Sequence, residues 1–141
     1  MIWRAPSSDV PREGPVLFID RDGVVIVDKD YLDDPAGVEL LPGVPGALCA
    51  AAGAGFALVG ISNQSGVGRG RFGLAELAAV MRRVDEALAD AGAPLDAMYY
   101  CPHAPQDGCR CRKPGPGLLD EAAASFRWDP LRSWVIGDSL S

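Results

Sequence analysis

The chain has 141 residues, of which 48% are apolar and 23% are charged, which suits one domain with a single core and is too short for two. Its net charge of −6 disfavours nucleic acids and anionic membranes as partners, and no apolar run approaches the ~20 residues that span a bilayer. We therefore expect a cytoplasmic protein without nucleic-acid or membrane partners.

Short apolar runs alternate with helical patterns along the chain, after a polar lead-in at 1–14. The predicted strands cover 15–19, 24–27, 56–61, 97–100 and 133–136, and the predicted helices cover 44–54, 74–91 and 118–126. This alternation indicates βαβ units, and hence a Rossmann-like α/β fold whose parallel sheet has flanking helices. We expect residues 1–141 to form one domain.

Polar residues stand where the predicted strands end. In a parallel sheet ligands bind at the carboxyl ends of the strands. Asp20, Ser62, Cys101 and Asp138 take these positions, so two carboxylates and a hydroxyl are expected along one edge of the sheet.

The segment Asp20-Arg21-Asp22-Gly23 leaves the first buried strand abruptly. Residues two apart on an extended chain face the same side, and two such carboxylates repel each other unless a cation lies between them. Mg²⁺ prefers oxygen ligands and keeps several waters, so few protein groups suffice, and Asp138 is a natural further ligand. As an isolated tetrapeptide the segment is more typical of a solvated turn, but the preceding apolar strand favours the metal site.

Four motifs in chain order resemble those of the haloacid dehalogenase superfamily of phosphatases. The run Val16-Leu17-Phe18-Ile19-Asp20-Arg21-Asp22-Gly23-Val24 is similar to the first motif, and Ser62-Asn63-Gln64 to the second; Lys113 and Gly137-Asp138 match the third and fourth. The resemblance covers the chain from residue 15 onward and implies the superfamily's phosphatase chemistry.

The resemblance also implies a role for each motif residue. Asp20 would attack phosphorus and form an aspartyl-phosphate, and Asp22 would act as general acid and base. Ser62 and Lys113 would bind phosphoryl oxygens, and Mg²⁺ would be held by Asp20, the Asp22 backbone carbonyl and Asp138.

A second cluster consists of Cys101, His103, Cys109 and Cys111. Three thiolates and one imidazole within one loop, 101–113, are typical of a closed, structural zinc site. The alternatives are a disulfide with a spare thiol, or unrelated reduced cysteines. Zinc would fix the loop that carries Arg112 and Lys113, and zinc thiolates favour a reducing compartment.

This zinc loop is similar to that of the D-glycero-D-manno-heptose-1,7-bisphosphate 7-phosphatases, and the histidinol-phosphate phosphatases carry a related loop. The resemblance implies a phosphorylated sugar as substrate, and hydrolysis of its 7-phosphate. Its implied substrate-binding residues are Asp28, Lys29, Asp30, Tyr31, Asn63, Gln64, Ser65 and Arg112. We interpret Arg69 and Arg71 as a solvated loop.

Some expectations concern the chain as a whole. The superfamily continues past its fourth motif with a helix and a strand, so we expect a carboxyl-terminal part beyond Ser141, and we expect a monomer without a separate cap domain. The main alternative is a histidinol-phosphate phosphatase. A receiver-like domain is disfavoured because Cys101 ends the third main predicted strand, where its phosphorylated Asp belongs. The acidic charge disfavours a zinc-based binding module.

Overall fold

The structure, a computed structural model, describes residues 1–4, 13–125 and 127–138. The strands are β1 (Ile2–Arg4), β2 (Glu13–Gly14), β3 (Val16–Ile19), β4 (Ala57–Asn63), β5 (Ala97–Cys101), β6 (Arg127–Trp128) and β7 (Trp134–Ile136). The α-helices are α1 (Val44–Gly53), α2 (Leu74–Asp90) and α3 (Gly117–Ala123), and two short 3-10 helices lie at Pro35–Gly37 and Pro105–Asp107.

The main sheet has five strands in the order β1-β5-β4-β3-β7. All neighbouring pairs are parallel except β1, which runs antiparallel to β5. The predicted α/β fold with a parallel sheet and flanking helices is therefore confirmed. The carboxyl ends of β3, β4, β5 and β7 meet at one edge, as parallel strands require.

Alternate residues of the central strands face opposite layers of helix. On one face Ile19, Leu58 and Met98 pack with the apolar stripe of α2 and with Leu48 of α1. On the other face the core is formed by Val16, Phe18, Val59, Ile61, Ala97, Tyr99, Leu118 and Ala122, the last two from α3. Because the central strands are buried on both faces, they read in the sequence as continuous apolar runs.

The segment 24–41, called the flap here, covers the sheet edge next to β3. Its two arms are joined by backbone hydrogen bonds from Val27 N to Glu39 O (2.8 Å) and from Leu41 N to Val25 O (3.0 Å). The predicted strand 24–27 is reduced to isolated bridges, in which Ile26 pairs with Asp22 and Leu40. Between β3 and β4 lie only the flap and α1, so no domain is inserted there.

The structure differs from the sequence prediction at the ends of the chain. The expected lead-in contributes β1 to the sheet, and Glu13–Gly14 pairs with Arg127–Trp128. The third helix ends at Ala123, short of the predicted limit at Phe126, which lies outside the described residues. Within the described ranges, no helix combines the length and the apolar character needed to cross a membrane.

One edge of the main sheet is apolar and open. Within the described residues β7 pairs only with β3, and its side chains are 68%, 57% and 44% exposed for Trp134, Val135 and Ile136. Nearby Leu131 is 94% exposed.

Candidate active site

Asp20 follows β3 directly and lies beside the ammonium group of Lys113. The Lys113 Nζ is 2.9 Å from Asp20 Oδ1, and the two side chains are only 19% and 18% exposed. Burial raises the pKa of Asp20 above its ordinary value, while the charge and hydrogen bond of Lys113 act in the opposite direction. The structure thus brings the predicted nucleophile and the predicted phosphate-binding lysine together.

Asn63 holds the backbone of Lys113 in place with both ends of its amide. Its Oδ1 accepts from Lys113 N (2.9 Å) and its Nδ2 donates to Lys113 O (3.2 Å). Asn63 is the last residue of β4. The position of Lys113 is therefore set by the central sheet as well as by its own loop.

Asp22 lies within a hydrogen-bonded group of buried side chains. Its carboxylate accepts from the Arg21 guanidinium at 2.9 to 3.2 Å and from Gln64 Nε2 at 2.9 Å. Gln64 Nε2 also donates to Ser62 Oγ at 2.7 Å. Ser62 is fully buried by this contact and does not line the cavity described below, whereas Asp22 and Gln64 do.

Asp138 lies two residues after β7 and reaches across the sheet edge toward Gly23. A Cβ atom at residue 23 would overlap the Asp138 carboxylate, and residue 23 has a φ of +80°, which favours glycine. A Cβ at Gly137 would lie 3.9 Å from Asp20 Oδ2. The glycine at residue 23 therefore lets the Asp138 carboxylate approach closely, whereas a Cβ at residue 137 would make only an ordinary van der Waals contact.

These carboxylates line one cavity of about 230 Å³. Its walls are formed by Asp20, Arg21, Asp22, Asp28, Asp30, Tyr31, Asn63, Gln64, Ser65, Gly66 and Asp138. Five of the eleven are acidic, and of the cations near them Arg21 is buried behind Asp22 and Lys113 is paired with Asp20. An oxygen-rich wall with so much uncompensated negative charge fits a hard divalent cation.

The side-chain oxygens of Asp20, Asp22 and Asp138 do not form one compact donor group. Among the described residues, the one set of three or more His, Cys, Asp and Glu donors within 4.8 Å of each other is the Cys/His cluster. The reason is that the Asp22 carboxylate faces Arg21 and Gln64. That Asp22 would offer its backbone carbonyl to a metal stays a prediction.

The flap supplies the opposite wall of the cavity through Asp28, Asp30 and Tyr31. Asp30 and Tyr31 have φ values of 54° and 59°, a strained backbone for residues with side chains. The Arg71 guanidinium carbon lies 4.3 Å from the centre of the Tyr31 ring. Strain next to a cavity is common at functional sites, and the stacked arginine steadies the ring.

Two predicted substrate-binding residues point elsewhere. Lys29 forms an exposed ion pair with Glu39 (3.2 Å) and does not line this cavity. Arg112 also lies outside its walls, and Arg112 Nη1 is buried with no hydrogen-bond partner among the described residues. A second cavity of about 530 Å³ lies beside Asp20 and Lys113, between α3 and β7.

The predicted zinc ligands come together at the end of β5. Cys101 Sγ lies 3.0 Å from Cys111 Sγ and 3.5 Å from Cys109 Sγ, and His103 Nδ1 lies 3.1 Å from Cys111 Sγ. None of the cysteines is in a disulfide. The sulfur–sulfur spacings are shorter than the roughly 3.8 Å expected around a tetrahedral zinc ion with bonds of about 2.3 Å, so the four donors could hold that metal after a small outward shift.

The thiols of the cluster also differ in acidity. Burial and the hydrogen bond with Cys111 raise the pKa of Cys101 to about 12. Burial raises the pKa of Cys109, but hydrogen bonds from the Arg112 backbone and from the neighbouring donors outweigh it and lower this pKa to about 7. Without a cation the Cys101 thiol therefore stays protonated. A bound metal would displace that proton.

Sequence reasoning missed two contributors to this region. The sequence analysis gives Arg21 no role of its own, although a charge beside a buried strand signals a buried partner. Gly68 was part of a solvated loop, but a Cβ there would lie 2.5 Å from Ala104 N and 2.8 Å from Pro102 O. Gly68 N also donates to Pro102 O (2.8 Å), so the glycine-rich loop packs directly on the Cys/His loop.

The comparisons with known proteins match this arrangement. The Hydrolase_like family model, described as HAD-hydrolase-like, matches residues 110–141. The D-glycero-beta-D-manno-heptose-1,7-bisphosphate 7-phosphatase of Escherichia coli K12 is 40% identical over 133 residues, covering 89% of this chain and 70% of that protein.

Two solved structures share the fold. A HAD-like protein from Mesorhizobium loti superposes with a TM-score of 0.89 and 39% identity, over 99% of this chain and 70% of that one. The D,D-heptose 1,7-bisphosphate phosphatase of B. bronchiseptica, complexed with magnesium and phosphate, gives a TM-score of 0.81 and 39% identity, over 89% and 71%. The chain therefore belongs to the D-glycero-D-manno-heptose-1,7-bisphosphate 7-phosphatase family of HAD-like hydrolases.

Proposed function

We propose that this chain is a Mg²⁺-dependent phosphatase that removes the 7-phosphate of D-glycero-D-manno-heptose 1,7-bisphosphate through an aspartyl-phosphate. The observation that carries the proposal is Asp20, paired with Lys113, on the wall of an acidic cavity shared with Asp22 and Asp138. The names of the similar proteins support the choice of substrate.

The donor set at the sheet edge suits a magnesium ion. The Asp20 and Asp138 carboxylates and the Asp22 backbone carbonyl would hold it. When bound, the ion supplies positive charge to the phosphoryl oxygens in a cavity whose walls are acidic.

The chain's own residues then divide the reaction into two displacements. An oxygen of Asp20 attacks phosphorus, the bond from phosphorus to the sugar oxygen breaks, and Asp22 gives that oxygen a proton. Water next attacks the aspartyl-phosphate, Asp22 accepts a proton from it, and phosphate leaves as the Asp20 carboxylate is restored. Lys113 offsets charge on the phosphoryl group, and Asn63 keeps Lys113 in position. Ser62 is buried against Gln64 Nε2, so it would bind a phosphoryl oxygen only after that hydrogen bond is exchanged.

The remaining substrate contacts are assigned by position. We propose that Asp28, Asp30, Tyr31 and Ser65, which line the cavity, contact the sugar. Arg112 lies outside the cavity walls, so its proposed role as ligand of the second phosphate rests on the resemblance of its loop and requires its side chain to turn toward the cavity. Lys29, Asn63 and Gln64 make other contacts in this structure, and any contact they make with substrate requires those bonds to be exchanged.

The Cys/His cluster is proposed to hold a structural zinc ion. Four protein donors would leave no coordination position for chemistry, so the ion would fix the loop that presents Lys113. Free thiols in this number fit a reducing compartment such as the bacterial cytoplasm.

The test is phosphate release in the presence of Mg²⁺ from the two anomers of the heptose bisphosphate and from histidinol phosphate, with metal analysis of the same sample. We expect turnover of a heptose bisphosphate and total loss in Asp20→Asn, which keeps the fold and the zinc. Preference for histidinol phosphate would replace the proposed substrate, and full activity in Asp20→Asn would remove Asp20 as nucleophile.

A further inference from the structure

Arg21 is a charged side chain placed where charges are costly. It is only 1% exposed, which is the lowest value among the charged residues that the structure describes as buried. One of its nitrogens, Nη1, faces the sulfur of Met81 on α2 at 3.4 Å. A buried guanidinium is stable only with a fixed anionic partner, so the two side chains hold each other in place.

That partner is Asp22. Arg21 Nε and Nη2 donate to Asp22 Oδ1 at 3.1 and 2.9 Å, and Nη2 is also 3.2 Å from Oδ2. Gln64 completes the ring, because its Oε1 accepts from Arg21 Nη2 (3.1 Å) and its Nε2 donates to Asp22 Oδ2 (2.9 Å). Both oxygens of Asp22 are therefore oriented by neighbours, while its side chain remains 26% exposed toward the cavity.

The backbone of Arg21 is fixed as firmly as its side chain. Its carbonyl accepts from Val25 N at 2.9 Å and from Ile26 N at 3.0 Å. Arg21 N donates to Asp20 Oδ1 at 2.8 Å. One turn of chain thus holds the two aspartates through the residue between them.

We propose that Arg21 and Gln64 are positioning residues that aim the Asp22 carboxylate for proton transfer to the leaving sugar oxygen. This inference rests on the proposed function. Neither residue needs to touch the substrate, because the planar guanidinium fork and the amide together fix the plane and direction of the carboxylate. Without the fork only the hydrogen bond from Gln64 would orient Asp22, and a displacement of about 1 Å is enough to cost ~100-fold in rate.

The leaving group of the substrate distinguishes a positioning role of Arg21 from a merely structural one. A sugar alkoxide leaves only with a proton, whereas nitrophenolate leaves readily without one. General acid catalysis typically contributes 10²–10⁴-fold, and that part should disappear for the sugar but not for the nitrophenyl ester. A loosened fold would slow both substrates alike.

The experiment compares kcat and KM for the heptose bisphosphate and for p-nitrophenyl phosphate. The variants are Arg21→Met and Arg21→Lys, and the control is Arg83→Met, which changes an exposed arginine of α2 that lies 4.0 Å from Glu86. In Arg21→Met we expect kcat on the sugar to fall about 100-fold and on the nitrophenyl ester less than about 10-fold, with KM little changed. Lys cannot form the fork, so Arg21→Lys should recover only part of the loss.

A double-mutant cycle closes the test. In an Asp22→Asn background, Arg21→Met should cause no further loss on the sugar, because the group that it positions is already inactive. Equal losses on both substrates, or additive losses in the cycle, overturn the proposal. If Arg21→Met does not fold, Gln64→Met tests the other arm, and an unchanged ratio between the two substrates there overturns it as well. The wild-type rate reports on the proposed function, while the ratio between substrates reports on this inference.

Discussion

The carboxylate of Asp20 is held between two opposing influences. Burial disfavours its charged form, Lys113 favours it, and the balance leaves its pKa above the ordinary value of 3.8. Ionised Asp20 therefore costs the metal-free fold some stability at neutral pH. A nucleophile whose ionised form destabilises the unliganded fold is a common compromise between stability and activity.

This balance predicts the pH dependence of stability in Mg²⁺-free buffer. A carboxyl whose folded pKa is raised contributes stability below 3.8 that is lost as pH rises through the folded value. Asparagine cannot ionise, so Asp20→Asn should melt a few degrees above the wild type at pH 7, with the gap closing toward pH 4. Thermal melts across this range check it, with exposed Asp90→Asn as control. A gap that stays constant with pH contradicts the expectation.

Asn63 offers a second test at the scale of single residues. Its amide makes two hydrogen bonds to the Lys113 backbone, so Asn63→Ala should displace Lys113 and lower kcat by about 10- to 100-fold. Asn63→Asp keeps the acceptor for Lys113 N but loses the donor to Lys113 O. Its kcat should lie between those of the wild type and Asn63→Ala. Steady-state kinetics at saturating Mg²⁺ measure this series. Wild-type kcat in Asn63→Ala would show that the loop holds Lys113 unaided.

The outcomes for individual site residues follow a physical pattern. Asp20, Lys113 and the four Cys/His donors were predictable, because strand ends in a parallel sheet and donor spacing in one loop constrain where they lie. The directions of Ser62, Gln64 and Lys29 were not predictable. They depend on which hydrogen-bond partner is nearest in three dimensions, and the sequence pattern is silent about that.

Among the structural elements, the Cys/His loop has the least apolar support. It follows β5 and packs against the glycine-rich loop through Gly68. Residues 102–113 contain short turns and one 3-10 helix, so a bound zinc ion would replace the missing core.

Cys109→Ser should therefore lose zinc, lower the melting temperature and reduce activity, since Lys113 lies four residues further on. Cys49→Ser is the matched control. Cys49 is exposed and contacts Gly92 O at 3.2 Å, far along the chain from the cluster, so its loss should leave zinc content and activity unchanged. Metal analysis, melting curves and phosphate release measure the three effects. A zinc-free Cys109→Ser protein with full activity would show that the loop needs no metal.

The regular elements were the most predictable part of the fold. The periodic stripe of α2 and the apolar runs of β3, β4 and β5 differ from their predicted limits by one or two residues. The short strands β1, β2 and β6 were missed, because two or three residues carry no period and owe their conformation to a partner strand.

At the scale of the whole molecule, β7 leaves one edge of the main sheet open within the described residues, because its other edge pairs with β3. A strand with a free edge and with exposed Trp134, Val135 and Ile136 is a template for pairing with another chain. We expect this 141-residue chain to show a concentration-dependent tendency to self-associate, while the monomer expected from the sequence stays a prediction.

A charge on the edge should suppress this association. Trp134→Lys places an ammonium group on the strand and should shift sedimentation profiles toward the monomer at high concentration. Leu131→Lys is the control, because Leu131 is equally apolar and more exposed but lies outside the strand. If both variants sediment like the wild type, strand pairing does not drive association.

The way the flap is attached has a consequence for redesign. The glycine-rich loop packs so closely on the Cys/His loop that residue 68 has no room for an added methyl group. The flap reaches the cavity through three side chains, its arms are joined by main-chain bonds, and Val25, Ile26 and Leu32 anchor it in the core. Efforts to graft a new specificity should therefore exchange flap segments between relatives and leave the two interlocked loops untouched.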